Sequence, residues 1–136
     1  RDARASASLA DETGKALVRS AIEALAMVAK AGQVIAGFAK VEEALLRRRA
    51  VALLHAADGA ADGIRKLDAI VKKMAVDSDE IREIPVIMEL TSEELDLALA
   101  RANVIHAALL AGSASRTFLS RIQTLVRYRD GGRRQR

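Results

Sequence analysis

Apolar residues fall into two kinds of stretch along this chain: stripes at helical spacing, and short continuous runs of strand length. Leu17, Ala21, Leu25 and Val28, with Val18, Ile22 and Ala29 beside them, mark one face of a helix. Gly32, just after Lys30-Ala31, is a natural stop for it. Val34-Ile35-Ala36 ends at Gly37 and is too short for a helix, so it is read as a strand. Phe38, Val41, Ala44 and Leu45 give a second helical stripe that runs out at Arg47-Arg48-Arg49, where positive charge suits a helix C-terminus. The run AVALLHA over 50–56 predicts a strand buried on both faces. Asp58 is placed to N-cap the next helix, whose stripe is Ile64, Leu67, Val71 and Met74. A polar loop, Asp77-Ser78-Asp79-Glu80, closes that helix. Pro85 excludes helix interior or central strand, and 86–90 reads as a third strand. Thr91-Ser92-Glu93-Glu94 has the form of a capping box, with Leu95, Ala98, Leu99 and Ala102 as the stripe behind it. Asn103 opens an apolar run to Leu110, Gly112-Ser113 turns the chain, and Phe118, Ile122, Leu125 and Val126 form a last helix, with Ser113 or Ser115 as its cap.

The predicted order is α-β-α-β-α-β-α-β-α. That alternation implies an α/β fold: a parallel or mixed sheet with helices on both faces. The 136 residues fit one domain, large enough to fold without a metal or a disulfide. With no Cys, thiol catalysis, disulfides and thiolate metal centres are excluded. No run of 18 apolar residues is present. The start, Arg1-Asp2-Ala3-Arg4-Ala5-Ser6-Ala7-Ser8, lacks Met and an apolar signal core. It reads as the lead-in of a fragment, with residues 1–12 as linker, 13–129 as the domain and 130–136 as a basic, disordered tail.

Charge is distributed unevenly. The chain holds 22 Lys and Arg against 18 Asp and Glu, but residues 127–136 alone carry five Arg and one acid. The first 126 residues are therefore neutral, and most nonspecific attraction to a polyanion belongs to Arg127, Arg129, Arg133, Arg134 and Arg136. The only aromatics are Phe38, Phe118 and Tyr128, which excludes a base-stacking platform of several rings.

Motifs for chemistry are sparse. Gly32 to Gly37 has the GxxxxG frame of a phosphate loop, but Phe38-Ala39 stands where Lys and Ser or Thr belong, so nucleotide hydrolysis is not supported. His55 and His106 each sit in an apolar run without an acidic or nucleophilic neighbour in sequence, and read as satisfied core residues. No metal-ligand spacing occurs, and the acidic loop lacks the glycine and distal glutamate of a calcium site. Ser113, Ser115 and Ser120 are not in a GxSxG elbow. The expectation is no catalytic residue, no metal and no cofactor. Three features suit binding: the Arg47-Arg48-Arg49 cluster, the helix start at Gly37-Phe38-Ala39-Lys40, and the terminal arginines.

Taken in order, Ala29-Lys30-Ala31-Gly32-Gln33-Val34-Ile35-Ala36-Gly37, then Val41 and Ala44-Leu45-Leu46-Arg47-Arg48, then Ala52-Leu53-Leu54-His55-Ala56-Ala57-Asp58-Gly59-Ala60 resemble the L-seven-Ae/L-thirty-e ribosomal protein superfamily. Ile64-Arg65-Lys66-Leu67, Pro85-Val86, Glu94-Leu95 and 103–108 continue the resemblance, which spans about residues 16–127. It looks closest to the bacterial proteins in which this domain follows a small YlxR-type domain, nucleic-acid-binding proteins implicated in transcription termination. The resemblance implies a three-layer α/β/α sandwich with a mixed sheet of about four strands, and RNA binding, often of kink-turns. The chain departs from the family's pattern in two places. Where kink-turn binders carry Asn-Glu-x-x-Lys, it has Ala39, Lys40 and Glu43. Asp96 and Ala100 replace glycines of the family.

The resulting expectation is a cytoplasmic, non-enzymatic RNA-binding domain tied to transcription termination or the ribosome machinery. Lys30, Gln33, Gly37, Phe38, Lys40, Arg101 and Asn103 would lie near the RNA, and Arg127, Arg129, Arg133 and Arg134 would attach electrostatically. The partners expected are a structured RNA, then transcription or ribosomal proteins, and no membrane. The alternative is a protein-interaction module on the same fold with a degenerate RNA surface; a small-molecule enzyme is the third class.

Overall fold

The computed structural model describes residues 2–78 and 83–134. Its elements follow the predicted order: α1 (Asp2–Lys30), β1 (Val34–Ala36), α2 (Phe38–Leu46), β2 (Ala50–His55), α3 (Ala61–Val76), β3 (Val86–Ile87), α4 (Ser92–Leu99), β4 (His106–Leu110) and α5 (Ser113–Arg134). The four strands form one mixed sheet in the order β1-β4-β2-β3. β4 runs antiparallel to both β1 and β2, while β3 is parallel to β2. Strand alternation divides the core. Leu54, Ala107 and Leu109 face α1, α4 and α5 with Leu25, Val28, Leu95, Phe118 and Leu125. Leu53 and Ala108 face α2 and α3 with Val41, Leu45, Leu67 and Val71. The fold is thus the expected three-layer α/β/α sandwich.

Several boundaries differ from the sequence expectation. Residues 2–12, expected as linker, are helical and continue into the rest of α1. Alanine at 3, 5, 7 and 10 gives this stretch the propensity to extend the helix. α5 likewise runs through the expected tail to Arg134. β3 is two residues rather than five, since Leu90 already belongs to the turn that accepts the Ala57 N–H. Asp58 does not cap α3, whose N-cap is Ala60. Its carboxylate instead accepts from the Ser92 N–H at 2.8 Å and the Ser92 hydroxyl at 2.7 Å, joining two loops. The last helix takes neither serine as the expected cap: Ser115 lies inside it and its hydroxyl donates to the Leu110 carbonyl. The Thr91–Glu94 capping box is present with both of its hydrogen bonds. Asp79 and Glu80 of the expected polar loop lie outside the described residues.

β1, β2 and β3 all point the same way, so their C-terminal ends share one edge of the sheet with the start of β4. The loops β1–α2, β2–α3, β3–α4 and α4–β4 meet there, and this upper edge carries the candidate site. The lower edge collects Gly32-Gln33, Arg47–Arg49 and Gly112.

Candidate functional site

The upper edge is assembled by backbone bonds that follow from the ladder. The Gly37 N–H donates to the His106 carbonyl at 3.0 Å, fixing the start of α2 beside the start of β4. Gly37 sits at φ 103°, a conformation L side chains rarely adopt, which lets the chain leave β1 and enter α2 directly. The Ala56 N–H donates to the Ile105 carbonyl, tying the β2–α3 loop to the α4–β4 loop. Gly37, Phe38, Lys40, Arg101 and Asn103 therefore converge on this edge. Phe38 is half-buried; Lys40, Arg101 and Asn103 are exposed.

Lys30 and Gln33 do not join them. Both lie by the start of β1, at the lower edge. Gln33 serves the fold: its side-chain carbonyl accepts from the Ser115 N–H at 3.1 Å, satisfying a first-turn donor of α5. Gly112 leaves room for it, because a Cβ there would collide with the Gln33 amide. Arg48 is also engaged, donating to the Met74 carbonyl at the end of α3. Of the terminal arginines, Arg127 is exposed on α5. Arg129 donates to the Glu89 carbonyl at 2.8 Å and pairs with its carboxylate at 2.9 Å, docking α5 on the β3–α4 loop. Arg133 and Arg134 lie in the last turn of α5, and Arg136 is outside the described residues.

Sequence reasoning missed Asp96. Its carboxylate accepts from the Asn103 N–H at 3.0 Å and the Val104 N–H at 2.7 Å, clamping the α4–β4 loop from within α4. This explains one of the glycine replacements: the aspartate holds the loop that carries Arg101 and Asn103. The other replacement is left strained. Ala100 adopts φ 53°, the left-handed region favoured by glycine. Ala100→Gly is accordingly expected to stabilise the protein by about 0.5–1 kcal/mol, read as a higher midpoint in urea at unchanged slope. A neutral or destabilising result would show that the helix end gains nothing from glycine there.

The register also creates a contact invisible in the linear sequence. His55 ends β2 and His106 opens β4, and they stand directly opposite one another in the ladder. Their Nδ1 atoms are 2.9 Å apart, and His55 Nε2 lies 2.7 Å from Asp68 Oδ1 on α3. A carboxylate only accepts, so His55 Nε2 carries the hydrogen and its Nδ1 is a lone pair. His106 Nδ1 must then donate, leaving its Nε2 as an acceptor. Burial first, then the neighbouring His55, hold His106 below its ordinary value of 6.5, with Asp68 opposing them. A depressed value means that the stability from neutral His106 is fully present above about 6.5. It is lost as pH falls through the folded-state value. The melting temperature is therefore expected to fall between pH 7 and 5, and less steeply in His106→Gln. Equal slopes would assign the acid sensitivity to the carboxylates. At the exposed Asp58, the Ser92 N–H and then its hydroxyl hold the carboxyl below its ordinary value, so that tie loosens only in acid below that range.

Among the described residues no cluster of three or more His, Cys, Asp or Glu is disposed to hold a metal, and no helix is long and apolar enough to cross a membrane.

No known family profile matches the chain, and no curated protein matches its sequence. Solved structures do match its shape. One is a protein of unknown function from Bacillus halodurans, with a TM-score of 0.65 and 17% identity, covering 76% of this chain and 96% of that one. Another is the Giardia lamblia 15.5kD RNA-binding protein, with a TM-score of 0.58 and 16% identity, covering 82% of this chain and 89% of that one. At such identities the likeness is one of fold. The class defined is a three-layer α/β/α sandwich built on a four-stranded mixed sheet.

Proposed function

We propose that this chain is a non-enzymatic RNA-binding domain that reads a structured RNA with its upper edge. The observation that carries the proposal is the shared architecture with an RNA-binding protein over most of both chains, together with the convergence of Gly37, Phe38, Lys40, Arg101 and Asn103. The α2 N-terminus offers unpaired N–H groups for RNA oxygens. Lys40 in the first turn of α2 and Arg101 in the α4–β4 loop supply positive charge, and Asp96 fixes that loop. Arg127 and the end of α5 add attraction without sequence information. Ala39, Lys40 and Glu43 do not reproduce the kink-turn motif, so the proposed target is structured RNA recognised by other contacts. The link to transcription termination or to the ribosome machinery, and the cytoplasmic setting, rest on the resemblance of the sequence to the YlxR-linked bacterial proteins.

The experiment is a backbone NMR titration with a pool of structured RNAs. Shifts are expected at 37–40, 57–60 and 101–105. Shifts confined to Lys30 and Arg47–Arg49 would place the RNA on the lower edge and overturn the assignment. A second reading, a protein-interaction module, is favoured by one observation: Asp58, Glu93 and Glu94 crowd the same edge as Lys40 and Arg101. Absence of any RNA-induced shift would select it.

A further inference from the structure

The basic end of α5 is held to the upper edge. α5 leaves the lower edge at Ser113, shortly after β4, and reaches the β3–α4 loop on the opposite edge by Arg129. One nitrogen of the Arg129 guanidinium makes both contacts there, 2.8 Å to the Glu89 carbonyl and 2.9 Å to its carboxylate. Both side chains are partly shielded from solvent, Arg129 at 38% exposure and Glu89 at 24%. Two further contacts set the helix against α1. Arg121 donates to the Ser20 carbonyl at 3.1 Å, and a Cβ on Gly14 would stand 3.2 Å from the Tyr128 ring. Contact passes from Ser20 back to Gly14 along α1 as it passes from Arg121 forward to Tyr128 along α5, so the two helices run antiparallel. α5 continues past Arg129 to Arg134, a further rise of about 7–8 Å.

The charge of the edge gives this placement a consequence. Lys40 and Arg101 share the upper edge with Asp58, Glu93 and Glu94. Arg65 and Lys66, at the start of α3, are already engaged with Asp62. The loops and helix starts of this edge therefore carry no excess of positive charge to attract a polyanion. The end of α5 does. Arg127 is exposed, Arg129 is neutralised by Glu89, and Arg133 and Arg134 follow in the last turn, with Asp130 as the only acid from 127 onward. α2, which carries Lys40, packs on one face of the sheet and α5 on the other. A ligand that touches both must lie across the ends of the strands.

We propose that the Arg129–Glu89 contact makes the basic end of α5 a positioned arm of the RNA surface, so that one RNA lies across the upper edge from the start of α2 to the end of α5. The inference rests on the RNA-binding reading and adds to it a direction and a positioning residue, Glu89. A free arginine-rich tail attracts RNA from any side, and ordering it on the RNA costs conformational entropy. A helix already seated by Glu89 and α1 holds its backbone in one place before the RNA arrives, so that cost is not incurred on binding. Glu89 is thus an acid whose presence favours binding of a polyanion. Choice among RNAs stays with the loops that carry Arg101 and Asn103 and with the α2 start, while α5 adds affinity through phosphates.

The test measures affinity for a mixed pool of structured RNAs by fluorescence anisotropy, alongside amide hydrogen exchange of the free protein. Glu89→Arg sets like charges against each other and undocks the arm, while Phe118 and Leu125 keep α5 in the core. The substitution makes the protein more positive, so attraction by charge alone would tighten binding. The expected result is the reverse: binding weaker by roughly three- to tenfold, with a salt slope shallower by about one phosphate contact or more. Glu93→Arg makes the same charge change on the same edge away from the dock, and should tighten binding. Adding Arg129→Glu to Glu89→Arg restores the pair with its charges exchanged, and should return affinity to within about twofold of the wild type. In the free protein, exchange at 127–132 should quicken in Glu89→Arg and slow again in the double variant. Unchanged or tighter RNA binding by Glu89→Arg overturns the inference and leaves the RNA-binding reading standing. Unchanged exchange in that variant also overturns it, because the contact then does not hold the arm. A wild type that binds no structured RNA overturns both.

Discussion

Phe118→Ala is expected to lower the unfolding free energy by about 3–5 kcal/mol, the largest stability effect of any single substitution considered. Phe118 is fully buried and lies in the core layer formed by α1, α4, α5 and the sheet. The helices around it meet closely: a Cβ on Gly14 of α1 would stand 3.2 Å from Tyr128 of α5, and Arg121 of α5 donates to the Ser20 carbonyl of α1. A layer tied at both ends of the contact cannot collapse into the space left by a deleted ring, so the cavity cost adds to the lost burial. For a protein of ordinary stability this is a fifth or more of the total, about 5–15 kcal/mol. Urea denaturation reads it as a lower midpoint at unchanged slope. A loss below about 1 kcal/mol would mean that α5 is not seated on the sheet through Phe118.

The largest functional effect is expected from Lys40→Glu combined with Arg101→Glu. Each side chain is exposed, so neither substitution disturbs the core. Together they reverse the positive charge of the α2 start and the α4–β4 loop, on an edge that already carries Asp58, Glu93 and Glu94. Affinity for structured RNA should fall by roughly 10- to 100-fold, with a shallower dependence on salt. The matching reversal of Arg47 and Arg49, at the lower edge, should change affinity by less than about threefold. Equal losses from both pairs would show that the protein attracts RNA by charge alone.

Hydrophobic spacing made the order of elements legible, because each strand is a short apolar run and each helix a stripe behind a recognisable stop. The Thr91–Glu94 box and Gly32 were readable for the same reason: their chemistry is local. The lead-in and the terminus were not, since small and charged residues in 2–12 and 130–134 leave helix and coil undecided by local propensity alone. Asp58 shows the limit of local rules. It stands where an N-cap belongs, but Ser92, thirty-four positions away, offers two donors and takes it. The candidate site was half legible. Gly37, Phe38, Lys40, Arg101 and Asn103 share an edge because strand direction puts them there, whereas Lys30 and Gln33, close to Gly37 in sequence, fall one strand length away on the lower edge. The His55–His106–Asp68 chain depends wholly on the register of β2 against β4, which no spacing within either strand encodes.

On the proposed function, the folded body, and not the basic end of α5, selects RNA. Fluorescence anisotropy over a salt series tests it, comparing a kink-turn RNA, a mixed pool of structured RNAs, and the protein cut after Arg129. That cut keeps the Arg129–Glu89 pair that docks α5. The shortened protein is expected to bind more weakly, with a shallower salt slope, but to keep its preference among the RNAs. Loss of all preference and all measurable affinity with residues 130–136 would contradict it.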